Sequence, residues 1–118
     1  MLNHQGPLSR TFHALADPTR MAIIDRLSRG PASVSELARP LEMSLAAVMQ
    51  HIQVLELSAL VRSEKRGRVR TCSIEPATLL AAQDWIAARR QSWESQLDRL
   101  GALLDAEDRE HKTGKRKP

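Results

Sequence analysis

At 118 residues, with 18 Lys+Arg against 14 Asp+Glu and a formal net charge of +4, the chain has room for one domain and a packed core. Hydrophobic residues at 42% and charged residues at 27% are the composition of a globular protein, not of a disordered one. One Phe, two Trp and no Tyr disfavour folds that stack single-stranded bases on aromatic platforms, and a single cysteine, Cys72, excludes an intramolecular disulfide.

Met1 to Pro7 has no apolar run behind a basic patch, so it reads as a flexible N-terminus over 1–7 and not as a signal peptide. No segment approaches the length of apolar chain that a membrane span requires, and the expected compartment is the cytoplasm, without membrane contact. Leu8, Phe12 and Leu15 then fall at helical spacing. Asp17 can cap a second helix that has Pro18 at its first position and Met21, Ile23, Ile24 and Leu27 on its apolar side, and Gly30-Pro31 stops it. Ser33 and Glu36 make the Ser-x-x-Glu capping box of a third helix, with Val34, Leu37 and Ala38, which Pro40 cuts short.

Ser44 is the next cap. Leu45, Val48, Ile52 and Leu55 follow as the expected core face of a helix over 44–57, and two short helices joined by a tight turn form a helix-turn-helix. Leu60 to Lys65 and Val69 to Ile74, around Arg66-Gly67-Arg68, read as a two-stranded β-hairpin. From Pro76 a long helix carries Leu79, Gln83, Ile86, Arg90, Trp93, Leu97, Leu100 and Leu104 in four-three alternation, the seam of a helix that pairs with another. The polar stretch beyond 106 is expected to be a basic disordered tail over 107–118. The fold class is therefore mainly α, an α+β winged helix-turn-helix over 8–106 with a two-stranded wing and a long C-terminal dimerisation helix.

Three separated blocks, Ala14 to Ile24 (ALADPTRMAII), VSELARPLEMSLAAVMQHIQVLE and LVRSEKRGRVRTCSIEP, resemble the arsenic-repressor (ArsR) family of bacterial winged-helix regulators. The resemblance covers about residues 8 to 104. It departs from the family pattern at Met49-Gln50-His51-Ile52 in the recognition helix, and at Ser58-Ala59-Leu60-Val61, where Ala59 replaces a Gly at a helix C-cap. The family implies a homodimeric repressor that binds a pseudo-palindromic operator in double-stranded DNA and releases it to an inducer.

The major groove admits one helix, and the N-terminal part of that helix meets the base edges. Here the faces away from the core carry Ser44, Ala46, Ala47, Gln50, His51 and Gln53. Gln50 and Gln53 have the amide that pairs with adenine, and Ala46 and Ala47 permit close approach to a thymine methyl. Ser44 and His51 suit phosphate contacts, which set register and do not read sequence. The hairpin adds Arg62, Lys65, Arg66, Arg68 and Arg70 within nine residues, opposed only by Glu64, a basic wing for the backbone or the minor groove. The bland alternatives are a solvated helix face and an edge strand protected by charge. Leu8, Phe12, Ile86, Trp93, Leu97, Leu100 and Leu104 are the expected dimer interface, with packing on the same chain as the alternative.

Family members that sense metals carry a Cys-x-Cys pair before the recognition helix, or Asp/His clusters on the last helix. Here Ser33-Val34-Ser35-Glu36 stands at the first place, and the last helix has no His before His111, so neither metal nor cofactor is expected. Cys72 is either a small apolar residue on the wing or a redox thiol activated by Arg70. An unidentified small-molecule inducer, or none, completes the picture. No phosphate loop or nucleophile motif supports an enzyme. The alternative function is a winged-helix module for protein–protein contact without specific DNA binding.

Charge placement sharpens the surplus of +4. Arg62 to Arg70 nets +4, His111 to Pro118 nets another +4, and the remaining body holds 9 cations against 13 acids. Two basic elements sit on an acidic scaffold.

Overall fold

The structure is a computed structural model that describes residues 6–115, with side chains through His111. Most of the flexible N-terminus expected over 1–7 and the last residues of the chain, 116–118, lie outside it. Five helices and three strands follow in the order α1 (Pro7–Leu15), α2 (Pro18–Leu27), β1 (Ala32–Ser33), α3 (Val34–Ala38), α4 (Leu45–Leu57), β2 (Val61–Arg66), β3 (Val69–Ile74) and α5 (Pro76–Lys115). This is the winged helix-turn-helix arrangement.

Local chemistry sets the helix starts. The Asp17 carboxylate accepts the Arg20 amide at 3.0 Å, with Pro18 where no N–H is needed. Ser33 and Glu36 exchange side-chain and backbone hydrogen bonds in the full capping box of α3. Ser44 Oγ accepts the Ala47 amide at 3.2 Å and opens α4.

The sheet has three strands in the order β1-β3-β2, where a two-stranded hairpin is expected from the sequence. The added strand is two residues long, with Ala32 opposite Cys72 and Ser33 opposite Thr71. Too short to carry a periodic pattern, it exists only because β3 offers a free edge to the chain entering α3. The turn between β2 and β3 is Gly67-Arg68, and Gly67 has φ +62 while Arg68 does not enter the left-handed region. A glycine at the first central position alone is the pattern of a type II′ hairpin, whose twist suits the flanking strands.

Ile23, Leu27, Val34, Leu37, Val48, Ile52, Leu55, Leu60, Val61 and Cys72 make one buried cluster joining α2, α3, α4 and the sheet. On α1 the buried positions are Thr11 and Ala14, while Leu8, Phe12 and Leu15 of the expected stripe are half-buried. Small side chains let α1 approach closely, and Thr11 satisfies its hydroxyl on the Pro7 carbonyl at 2.9 Å. Met21 of α2 is exposed.

The end of α4 is a Schellman motif: Leu60 N–H bonds to the Leu55 carbonyl at 2.9 Å and Ala59 N–H to that of Glu56 at 3.0 Å. The motif requires a left-handed residue, and that residue is Ala59, at φ +58. The Thr78 hydroxyl donates to the Ala59 carbonyl at 2.5 Å.

The chain divides into a unit ending at Ala82 and a second beginning at Gln83. α5 runs unbroken across that division and continues to Lys115, past the boundary placed at 106. Ala106, Glu107, Arg109, Glu110 and Lys112 propagate a helix already nucleated upstream, so a polar, aperiodic composition does not end it. The last basic side chains of the expected tail, from Lys112, lie outside the described residues.

Candidate nucleic-acid interface

The recognition helix α4 is anchored by one face. Val48, Ile52 and Leu55 are each fully buried, and the opposite side exposes Ala46, Gln50 and Gln53 at positions four and three apart. Ser44 is exposed at the cap and Ala47 is half-buried. Leu45, expected in the core, is 54% exposed and so corrects the sequence reading. It occupies the first helical position, where the side chain overshoots the core that Val48 begins. With Met43, also exposed, it puts an apolar rim at the end of the helix that would enter a groove.

His51 differs from its neighbours. Arg20 Nη1 donates to His51 Nδ1 at 3.2 Å, and the same ring nitrogen lies 3.7 Å from Asp17 Oδ2. Because a guanidinium only donates, Nδ1 accepts and the ring proton sits on Nε2. Arg20 also donates to the Ala14 carbonyl at 2.6 Å and to that of His13 at 3.4 Å, so one side chain ties the end of α1 to α4. The hydrogen bond from the Arg20 amide, joined by the charge of the Arg20 guanidinium, holds the Asp17 carboxyl below its usual value. The sequence marks Asp17-Pro18 as a helix start but gives no sign of this role for Arg20, which depends on three elements meeting.

Alternation divides the wing into two faces. Arg62, Glu64 and Arg66 share one, with Arg62 3.2 Å from Glu75 and Arg66 3.6 Å from Glu64. Lys65 shares the other with Arg70, its direct partner across the ladder. Arg62, Lys65, Arg66 and Arg68 are exposed, and Arg68 stands at the tip. Arg70 is half-buried: its Nη1 donates to Ser63 Oγ at 2.7 Å, and Ser63 donates to Glu56 Oε1 at 2.7 Å. That relay binds the wing to the recognition helix through two residues, Ser63 and Glu56, that sequence reading passed over.

Cys72 is fully buried, and burial, with Glu56 nearby, pushes its thiol up to about 11. Arg70 pulls the other way but does not prevail. The activation suggested by its proximity in sequence is therefore overturned; the side chain is core.

Of the expected interface residues, Ile86, Trp93, Leu97, Leu100 and Leu104 are each more than half exposed, whereas Leu8 and Phe12 are half-buried. Among the described residues no group of three or more His, Cys, Asp or Glu side chains could hold a metal ion, and no helix is long and apolar enough to cross a membrane.

Comparison with known proteins meets this geometry. Residues 15–64 match a helix-turn-helix domain family. The chain is 37% identical over 107 residues to the HTH-type transcriptional regulator Rv2034 of Mycobacterium tuberculosis, covering 91% of this chain and 96% of the relative. A crystal structure of an ArsR family transcriptional regulator, RHA00566, superposes with a TM-score of 0.72 at 52% identity, over 75% of this chain and 98% of that one. The chain belongs to the ArsR family.

As an ArsR-family member it is a winged helix-turn-helix DNA-binding transcriptional regulator. A further neighbour at TM-score 0.58 and 26% identity, covering 72% of this chain and 81% of its own, is the homodimeric winged helix-turn-helix DNA-binding domain of Mb0332 from Mycobacterium bovis. These relatives are named as regulators, not as enzymes.

Proposed function

We propose that this regulator is a homodimeric repressor, in the cytoplasm at the nucleoid, without enzymatic activity, that occupies a pseudo-palindromic operator. The observation that carries the reading is the two-sided character of α4: Val48, Ile52 and Leu55 are fixed in the core, and Ala46, Gln50 and Gln53 are left in solvent on the other side. In the major groove Gln50 and Gln53 read adenine edges, and Ala46 and Ala47 allow contact with thymine methyls. Ser44, and His51 through Nε2–H, donate to phosphates and set register. Arg62, Lys65, Arg66, Arg68 and Arg70 provide the electrostatic attraction of the wing. Leu8, Phe12 and the α5 seam from Ile86 to Leu104 form the dimer.

A small organic molecule is the inducer in this reading. A largely apolar cleft of about 350 Å³, lined among others by Leu8, Leu57, Ala59, Ala77 and Ala81, has the size for one and adjoins the end of the recognition helix.

The test is fluorescence anisotropy with the DNA upstream of the chain's own gene, as a function of salt. The native protein should show specific retention at physiological salt, and the Arg66→Ala/Arg68→Ala variant a weaker affinity and a salt slope smaller by about 2, one unit per lost phosphate contact. An unchanged slope would remove the wing from the interface. Weak binding blind to sequence would favour the protein–protein module instead.

A further inference from the structure

Arg20 spends its guanidinium on two elements at once. Nε donates to the Ala14 carbonyl at 2.6 Å and Nη2 to the His13 carbonyl at 3.4 Å, both in the last turn of α1. Nη1 donates to His51 Nδ1 at 3.2 Å on α4. A guanidinium is a rigid planar fork, so the α1 carbonyls fix the direction from which its third nitrogen meets the imidazole.

A neutral imidazole carries one proton, and its neighbours decide which nitrogen holds it. Two groups at the start of α2 compete for that choice at Nδ1. The Asp17 carboxylate, with Oδ2 at 3.7 Å, draws a proton onto Nδ1, and Arg20, a donor at hydrogen-bond distance, keeps Nδ1 bare. Arg20 is the nearer and prevails, so Nε2 carries the proton. Among the described residues Nε2 has no hydrogen-bond partner and no buried side-chain nitrogen is left unpaired, so Nε2 reaches solvent. Without Arg20 the order reverses. Asp17 takes the proton of Nδ1, and Nε2 turns from a donor into an acceptor, which a phosphate oxygen repels.

We propose that Arg20 is a positioning residue for DNA binding: it holds His51 in the Nε2–H form, so that the recognition helix offers a phosphate a donor and not a lone pair. The inference rests on the reading of His51 as a phosphate contact. Arg20, its three guanidinium nitrogens already engaged, acts through His51 without touching the duplex itself. The contact also becomes conditional on α1, since the carbonyls of His13 and Ala14 aim the guanidinium.

The experiment uses the full chain. At pH 8 and without DNA, the nitrogen NMR shifts of the His51 ring should place the proton on Nε2 in the native protein and on Nδ1 in Arg20→Met. A proton on Nδ1 in the native protein would overturn the inference with no variant needed. In anisotropy with the DNA upstream of the chain's own gene, Arg20→Met should bind about tenfold more weakly, the worth of one charge-assisted hydrogen bond. Its salt slope should be unchanged, because a neutral imidazole displaces no counterion. A slope smaller by about one would instead make Arg20 a phosphate contact in its own right. In a His51→Gln background, whose amide brings its own donor, the same Arg20→Met exchange should cost less than about twofold. An undiminished loss there would mean that Arg20 serves only the fold. Native affinity in His51→Ala would overturn the phosphate-contact reading, and the inference with it, whatever the tautomer.

Discussion

Lys65 and Arg70 stand directly opposite each other across the β2–β3 ladder, two cations on one face of the wing. Like charges at opposed positions destabilise a sheet. Arg70 relieves part of this by turning to Ser63, and through it to Glu56 on α4. Lys65 has no such route; it is exposed and is the cation left to meet an anion. Replacing Lys65 with Thr should therefore have effects of opposite sign: the melting temperature rises slightly, by about 0.2–1 kcal/mol of stability, while DNA affinity falls. A variant that loses stability and keeps its affinity would show that Lys65 serves the fold.

Gln50 and Gln53 share the exposed stripe of α4, so each can be removed without touching the core. Gln50→Ala and Gln53→Ala should leave the melting curve unchanged and relax discrimination at separate operator positions by about 1–3 kcal/mol each. Binding to a panel of single-base operator variants measures this. A uniform loss across the panel would move the residue from base reading to backbone contact.

Ala59 holds a left-handed conformation that an L side chain resists by about 1–2 kcal/mol. Glycine adopts it freely but loses more chain entropy on folding. Ala59→Gly should leave a net gain of about 0.5–1 kcal/mol in chemical denaturation, with operator affinity retained. Equal stability would mean that the Schellman turn is held by Leu60 and Thr78 regardless of the residue at 59.

Cys72 should resist iodoacetamide in the native protein at pH 8 and react once the chain is unfolded, because the folded thiol is inaccessible and raised to about 11. A raised value means that the folded state holds its proton more tightly. The associated stability is whole below the ordinary value of 9.0 and is lost as pH rises from there through about 11. Cys72→Ala should flatten stability against pH across that window. Rapid native alkylation would contradict its place in the core.

Much of this architecture was legible because it is locally encoded. Asp17, Ser33 with Glu36, and Ser44 announce helix starts through their own hydrogen bonds, and Gly67 permits the hairpin turn. What escaped was decided by packing between distant residues. Ala32–Ser33 becomes a strand only against β3. Leu45 has the right spacing for the core, yet a stripe cannot say where the core ends. The buried face of α1 is read from large residues when small ones, Thr11 and Ala14, make the close contact. On the candidate interface, the exposed glutamines and the basic wing follow from the sequence, but the Arg20–His51 and Glu56–Ser63–Arg70 links do not. Each depends on a long or polar side chain reaching another element.

The Glu56–Ser63–Arg70 relay has a consequence for the DNA as well as for the protein. It spans the groove-facing helix and the backbone-facing wing like the hinge of a locked caliper, so the offset between the two points of grip is set before any operator arrives. Adjustment then falls to the duplex. Operators with flexible pyrimidine–purine steps between the base-read segment and the wing contact bend to that offset at lower cost. Part of the selectivity would then be written in base pairs that no side chain touches.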